Sequence, residues 1–205
     1  YLKAIELGIP IPESYFPENI DHVLQISKCI KYPVIIKPAV MHNFHRLTGK
    51  KVLFCKTEKE LISNYERVIE IIPSNEVIVQ EFLTGGAKSL YSFGSYSYGG
   101  KVYGSFSANR IRQNPMDFGN SSTFAVTVNI PKIENFAKQF ISGINYFGLS
   151  EIEFMKDPAS GQYKLLEINP RAWKWHSIGN KLNINLLKMM IDQLNGITIE
   201  ESHNY

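Results

Sequence analysis

Cysteine is scarce: only Cys29 and Cys55 occur in 205 residues. They make neither a metal-ligand spacing nor a disulfide framework, so reduced thiols in a cytoplasmic protein are expected. No apolar run approaches the ~20 residues that span a bilayer, which argues against a membrane protein. Charge of one sign is also lacking. Lys and Arg number 22 against 19 Asp and Glu, a net charge of +3, and the basic residues are scattered. That pattern gives a nucleic acid no dense stripe to follow. There is no initiating Met and no signal-peptide pattern, so the chain starting at Tyr1 reads as a fragment of a longer protein. Repeats, low-complexity tracts and disordered linkers are absent. What remains is 44% hydrophobic, enough for a real core in one domain or two closely joined lobes.

Local signals divide the chain in two. Residues 1–8 read as a helix stopped by Gly8, followed by the extended Gly8-Ile9-Pro10-Ile11-Pro12 run. A helix capped by Asp21 is expected to run to about Ile30. Strands are expected at 33–37 (PVIIK), 51–55 and 76–83. Between the last two, Leu61, Tyr65, Val68, Ile69 and Ile72 recur at helical spacing. Residues 89–98 and 101–111 then alternate around Gly99-Gly100 as a long hairpin. A strand at 123–129, a helix at 132–146, strands at 149–156 and 163–169, and a helix at 184–195 complete the order. The expected class is α+β with two lobes and a hinge near Gln80–Leu83.

The stretch 148–171, GLSEIEFMKDPASGQYKLLEINPR, carries the most chemistry. Side chains alternate along a strand, so Glu151 and Glu153 share one face, and Glu167 and Asn169 share one face of the next strand. Pairing across the 157–161 turn brings Glu153, Glu167 and Asn169 together. Carboxylates this close need compensating charge. Two readings stay open: a solvated sheet face, or oxygen ligands for a divalent cation such as Mg2+. Glu151 is assigned to the solvated face. Arg171 after the Asn-Pro kink can fork onto phosphate or pair with a surface acid. Arg110 and Arg112 are expected on one strand face, where two guanidiniums call for an anion or for surface acids.

The segments YPVIIKP (32–38), VIVQEFLTGG (77–86), GLSEIEFMKD and LLEINPR occur in the order of the ATP-grasp superfamily. The chain resembles predicted carboxylate–amine ligases similar to carbamoyl-phosphate-synthase large-chain domains. RIRQNPMDFG (110–119) and NPRAWKWHSIG (169–179) add to the likeness. The resemblance implies an ATP-grasp fold, with two α/β lobes and the nucleotide held between them. Residues 1–20 would be an entry segment after an amino-terminal domain lying before Tyr1, 21–82 the small lobe and 83–205 the large lobe.

It also implies site roles. Lys37 meets the α- and β-phosphates of ATP. Gln80, Glu81, Phe82 and Leu83 form the adenine hinge, with the backbone of Glu81 and Leu83 touching the base. Glu153, Glu167 and Asn169 hold Mg2+, with Mn2+ as an alternative. Arg171, with Arg110 or Arg112, grips the reacting phosphoryl and carboxylate groups. His176 could line the acceptor site or be a satisfied structural histidine, and the two tryptophans read as packing.

Residues 39–50 (AVMHNFHRLTGK) depart from the glycine-rich phosphate loop of many relatives. His42, His45, Arg46 and Lys50 either bind phosphate by side chain or belong to a flexible lid. Lys88 stands where many relatives have an acid for the ribose. The implied function is an Mg-ATP-dependent carboxylate–amine ligase acting through an acyl phosphate. Its partners are small-molecule carboxylates and amines, with self-association as a homodimer left open. Specificity is expected in loops near 112–122 and 172–181. The alternative is a nucleotide-binding or regulatory module without ligase activity.

Overall fold

A computed structural model describes residues 1–114 and 121–203, and all side chains among them except those of 41–43, 47 and 121. In chain order the regular elements begin with α1 (Leu2–Glu6), β1 (Ser14–Tyr15), α2 (Ile20–Ile26), β2 (Val34–Pro38), α3 (Met41–Thr48), β3 (Leu53–Cys55), α4 (Glu58–Ile69) and β4 (Val77–Glu81). They continue with β5 (Leu90–Tyr98), β6 (Lys101–Asn114), β7 (Ser121–Val128), α5 (Pro131–Gly143), β8 (Gly148–Lys156), β9 (Tyr163–Asn169), α6 (Leu186–Leu194) and β10 (Ser202–His203). The chain forms two compact units: Pro12–Leu83, and Tyr1–Ile11 with Thr84–Tyr205. The class is α+β. None of the described helices is long and apolar enough to cross a membrane.

The smaller unit is a four-stranded antiparallel sheet in the order β1-β4-β2-β3. Alternation decides its faces. Val34, Ile36, Val77 and Val79 join Val23 and Ile26 of α2, Phe44 of α3 and Leu61, Tyr65 and Val68 of α4 in one core. Asn19, not Asp21, caps α2: its side chain accepts from the His22 N–H at 2.9 Å. Asp21 falls inside the first turn, and the helix ends at Ile26. Thr57 caps α4 by accepting from Glu60 N–H.

Residues 39–50 are mostly helix, which neither sequence reading anticipated. Phe44, fully buried, anchors α3, and Gly49 ends it in the left-handed region at φ 67° with its N–H on the His45 carbonyl. The helix lacks a side-chain cap, so its start carried no local signal.

The larger unit is built on a six-stranded sheet, β10-β6-β5-β8-β9 with β7 also paired to β6. Gly99 and Gly100 both take positive φ, as a two-residue hairpin turn requires, and Tyr98 pairs with Lys101. All pairings here are antiparallel except that of β10, a strand the sequence did not announce, which runs parallel to β6. Residues expected as an entry segment split between the units. Ala4 and Ile9 belong to the larger unit's core, and Pro10 accepts the Leu165 N–H at 2.8 Å. One sheet face packs Phe93, Ile152 and Phe154 against Ile133, Ala137, Phe140 and Ile141 of α5. The other face carries the candidate site.

Candidate active site

The register of β8 and β9 is set at their connecting turn. Asp157 accepts from Ala159 N–H and Ser160 O–H at 3.0 and 2.7 Å, and Gly161 supplies a positive φ. The Ser160 hydroxyl, ahead of the Ala159 N–H and Lys164, holds the Asp157 carboxyl below the usual carboxylate range, against the effect of burial. From this turn the ladder pairs Glu153 with Glu167 and Glu151 with Asn169, after one irregularity between Glu153 and Phe154. The same face continues into β5 through Ser92 opposite Glu153 and Gly94 opposite Glu151.

Glu153, Glu167 and Asn169 therefore come together. Asn169 donates its amide N–H to Glu153 Oε1 at 3.1 Å, while Glu167 remains exposed on the neighbouring strand. Arg110 forms a buried ion pair with Glu153 and donates through Nε to Ser122 at 2.6 Å. Burial pushes the Glu153 carboxyl up to about 7, with Arg110 pulling against the rise and Glu167 and Glu151 adding to it. Arg171 is exposed but tethered, one Nη on Asn169 Oδ1 and the other on the Ala172 carbonyl, both at 3.2 Å.

Two assignments change. Glu151 is not on a solvated face: it is 4% exposed and accepts from Ser92 Oγ at 2.9 Å. Burial raises its carboxyl, opposed by Arg110 and Ser92. Its place two residues from Glu153 was the available signal. Nor do Arg110 and Arg112 follow simple alternation. Register irregularities between Asn109 and Arg112, and between Arg112 and Gln113, leave Arg110 buried and Arg112 exposed. Ser92 and Ser122 were missed outright, because a serine in a strand carries no distinguishing pattern.

Among the described residues, no three His, Cys, Asp or Glu side chains form a ready metal cluster. The donors at hand are two cross-strand carboxylates and one carboxamide. They fit a hard cation of the Mg2+ type, which takes one or two protein carboxylates and completes its shell with water and phosphate oxygens.

In the smaller unit, the β2–β4 register places Lys37 beside Ile78 and Ile35 beside Gln80, on the face opposite the core. Gln80 donates to Ser14 Oγ at 2.7 Å, and Phe82 meets Phe54 edge-on at 4.8 Å. The Glu81 N–H is committed to the Glu13 carbonyl and the Phe82 N–H to the Pro33 carbonyl. A base contact at Glu81 would have to use its carbonyl instead. Leu83 closes the unit. His45, Arg46 and Lys50 are exposed on or just after α3. The carbonyl of Lys88, in the larger unit, accepts from Asn109. The His42 side chain and residues 115–120, which include part of the expected specificity loop, lie outside the described residues.

Residues 113–202 match the family described as the carbamoyl-phosphate synthase L chain, ATP binding domain. The carboxyl-terminal section of the carbamoyl phosphate synthase large chain from Methanopyrus kandleri is 24% identical over 172 residues, 82% of this chain and 31% of that protein. The chain thus spans about a third of that relative. Among solved structures, the biotin carboxylase domain of 2-oxoglutarate carboxylase from Hydrogenobacter thermophilus was determined with magnesium ADP, ADP and bicarbonate. It superposes with a TM-score of 0.74 at 17% identity, covering 98% of this chain and 45% of that one. Phosphoribosylamine–glycine ligase from Thermotoga maritima gives 0.72 at 18% identity, covering 97% and 54%. The fold is the ATP-grasp fold, and in sequence the chain is similar to the carbamoyl-phosphate synthase large chain.

Proposed function

We propose, taking the ATP-grasp fold as premise, that the chain is the ATP-binding and catalytic part of a ligase joining a carboxylate to an amine. The γ-phosphoryl group passes from ATP to a carboxylate oxygen, giving ADP and an acyl phosphate. The amine nitrogen then attacks the acyl carbon, phosphate leaves with the C–O bond electrons, and the nitrogen loses a proton to solvent.

The observation that carries this reading is the Glu153–Glu167 pair with Asn169 on Glu153 and Arg110 buried beside it. Glu153, Glu167 and Asn169 would hold Mg2+ or Mn2+. The ion, when bound, offsets repulsion between triphosphate and carboxylate. Arg171 grips phosphoryl oxygens, and Arg110 fixes the Glu153 carboxylate while adding positive charge where negative charge spreads. Lys37 contacts phosphate, and the apolar Ile35 and Ile78 on its sheet face suit a flat base. Arg112, His45 and Lys50, all exposed, are assigned to the approach of anionic substrates.

The second reading, a nucleotide-binding module without turnover, is favoured by α3 standing where many relatives have a glycine-rich phosphate loop. A phosphate-release screen with the full chain, Mg-ATP and pools of carboxylates and amines separates them. The ligase reading expects release that requires both a carboxylate and an amine. Tight Mg-ATP binding without release in every mixture would leave only the second reading.

A further inference from the structure

Gly94 sits in the middle of β5, a position where glycine weakens a strand and often marks close approach by another group. Its φ is not positive, so backbone conformation does not demand glycine. Space does: a Cβ at this position would meet Cζ2 and Cη2 of Trp173 at 2.3 and 2.5 Å. The indole lies on the site face, where Gly94 pairs directly with Glu151. Trp173 is 4% exposed and packs on Phe106, Trp175 and His176 at ring-centroid distances of 6.0, 5.7 and 6.0 Å. The Trp173 carbonyl is bonded to His176 Nδ1 at 2.6 Å and accepts the His176 N–H at 3.2 Å. Its indole N–H is buried with no acceptor among the described residues. An orphan donor of that kind costs stability, so apolar filling alone does not account for a tryptophan here.

The anchor lies two residues beyond Arg171. On the other side, Asn169 is fixed by β9 and by its bond to Glu153, and the Arg171 N–H closes onto the Asn169 carbonyl at 2.9 Å. Arg171 itself is exposed and loosely tethered, so its placement depends on the two fixed points that flank it. We propose that Trp173, seated in the notch left by Gly94, is a positioning residue that presents Arg171 to the reacting phosphoryl group. This rests on the ligase reading for its catalytic consequence, though the lock itself is a packing statement. A misplacement of about 1 Å at such a site can cost about 100-fold in rate.

The test is size complementation in the full chain. Gly94→Ala should lower kcat for phosphate release by at least about tenfold while the KM for ATP moves less than about threefold. Amide hydrogen exchange across 170–178 should speed up in parallel. Trp173→Phe removes the two colliding indole carbons and should cost about two- to fivefold. The double variant should be no slower than Trp173→Phe alone, with exchange protection restored.

Unchanged exchange in Gly94→Ala overturns the lock. Faster exchange with unchanged kcat overturns the positioning role. A double variant that folds yet is slower than Trp173→Phe alone overturns the complementary fit. If the wild-type chain releases no phosphate from any mixture, the ligase reading falls and with it the claim about Arg171. The exchange arm then decides the lock alone, since it needs no turnover.

Discussion

The two faces of the larger sheet are built from alternate residues of the same strands, yet they surround their carboxylates differently. On the site face, Glu153, its side chain 13% exposed, has an arginine and an amide fixed against it, and Glu151 is buried with a serine. On the helix covering the other face, Glu134 is 4% exposed and its Oε1 has no hydrogen-bond partner among the described residues. Burial raises the Glu134 carboxyl, with Lys138 opposing. On the site face Arg110 and neighbouring donors oppose the burial that raises Glu151 and Glu153. At Glu134 only Lys138 opposes it.

The strongest way to break the contrast is Arg110→Met, which leaves Glu151 and Glu153 buried without their nearby cation. A loss of about 3–5 kcal/mol in urea unfolding is expected, and a stability within error of wild type would mean the ion pair does not organise this face. Glu167→Gln acts on function instead. Glu167 is exposed, so the fold should persist while phosphate release drops about 100-fold or more, or ~3 kcal/mol of barrier. A near wild-type rate would remove Glu167 from the site.

Ile152→Val, on the apolar face between the two glutamates, should cost about 1 kcal/mol of stability with the rate per folded molecule unchanged. The smallest effect sharpens the comparison through pH. Because the folded Glu134 carboxyl titrates above its unfolded value, its contribution is fully present below the unfolded pKa and lost as pH rises through the folded one. Glu134→Gln should therefore raise the unfolding midpoint at pH 8, by an amount that shrinks as the pH falls toward 4.5. A gain of equal size at both pH values would assign it to packing.

Much of this was legible beforehand. Period-two alternation and the Asp157–Gly161 turn gave the β8–β9 hairpin and hence the meeting of Glu153, Glu167 and Asn169. Gly99-Gly100 gave the β5–β6 hairpin. What failed had physical causes. The α3 helix lacks a side-chain cap at its start and is held by Phe44, a tertiary contact. The irregular register near Arg110 falls in the polar run Asn109–Asn114, where Ile111 is the one apolar residue and too little to fix the phase. Glu151 looked like any surface acid until its strand was sandwiched between β5 and β9.

The layout of the units has a practical consequence. Pro12–Leu83 is a continuous insertion, whose entering strand runs beside its leaving strand with Ser14 opposite Gln80. Its ends are therefore neighbours, so a short bridge from residue 11 to residue 84 could excise it. By contrast, trimming the first eleven residues would strip Ala4 and Ile9 from the body that holds the carboxylates.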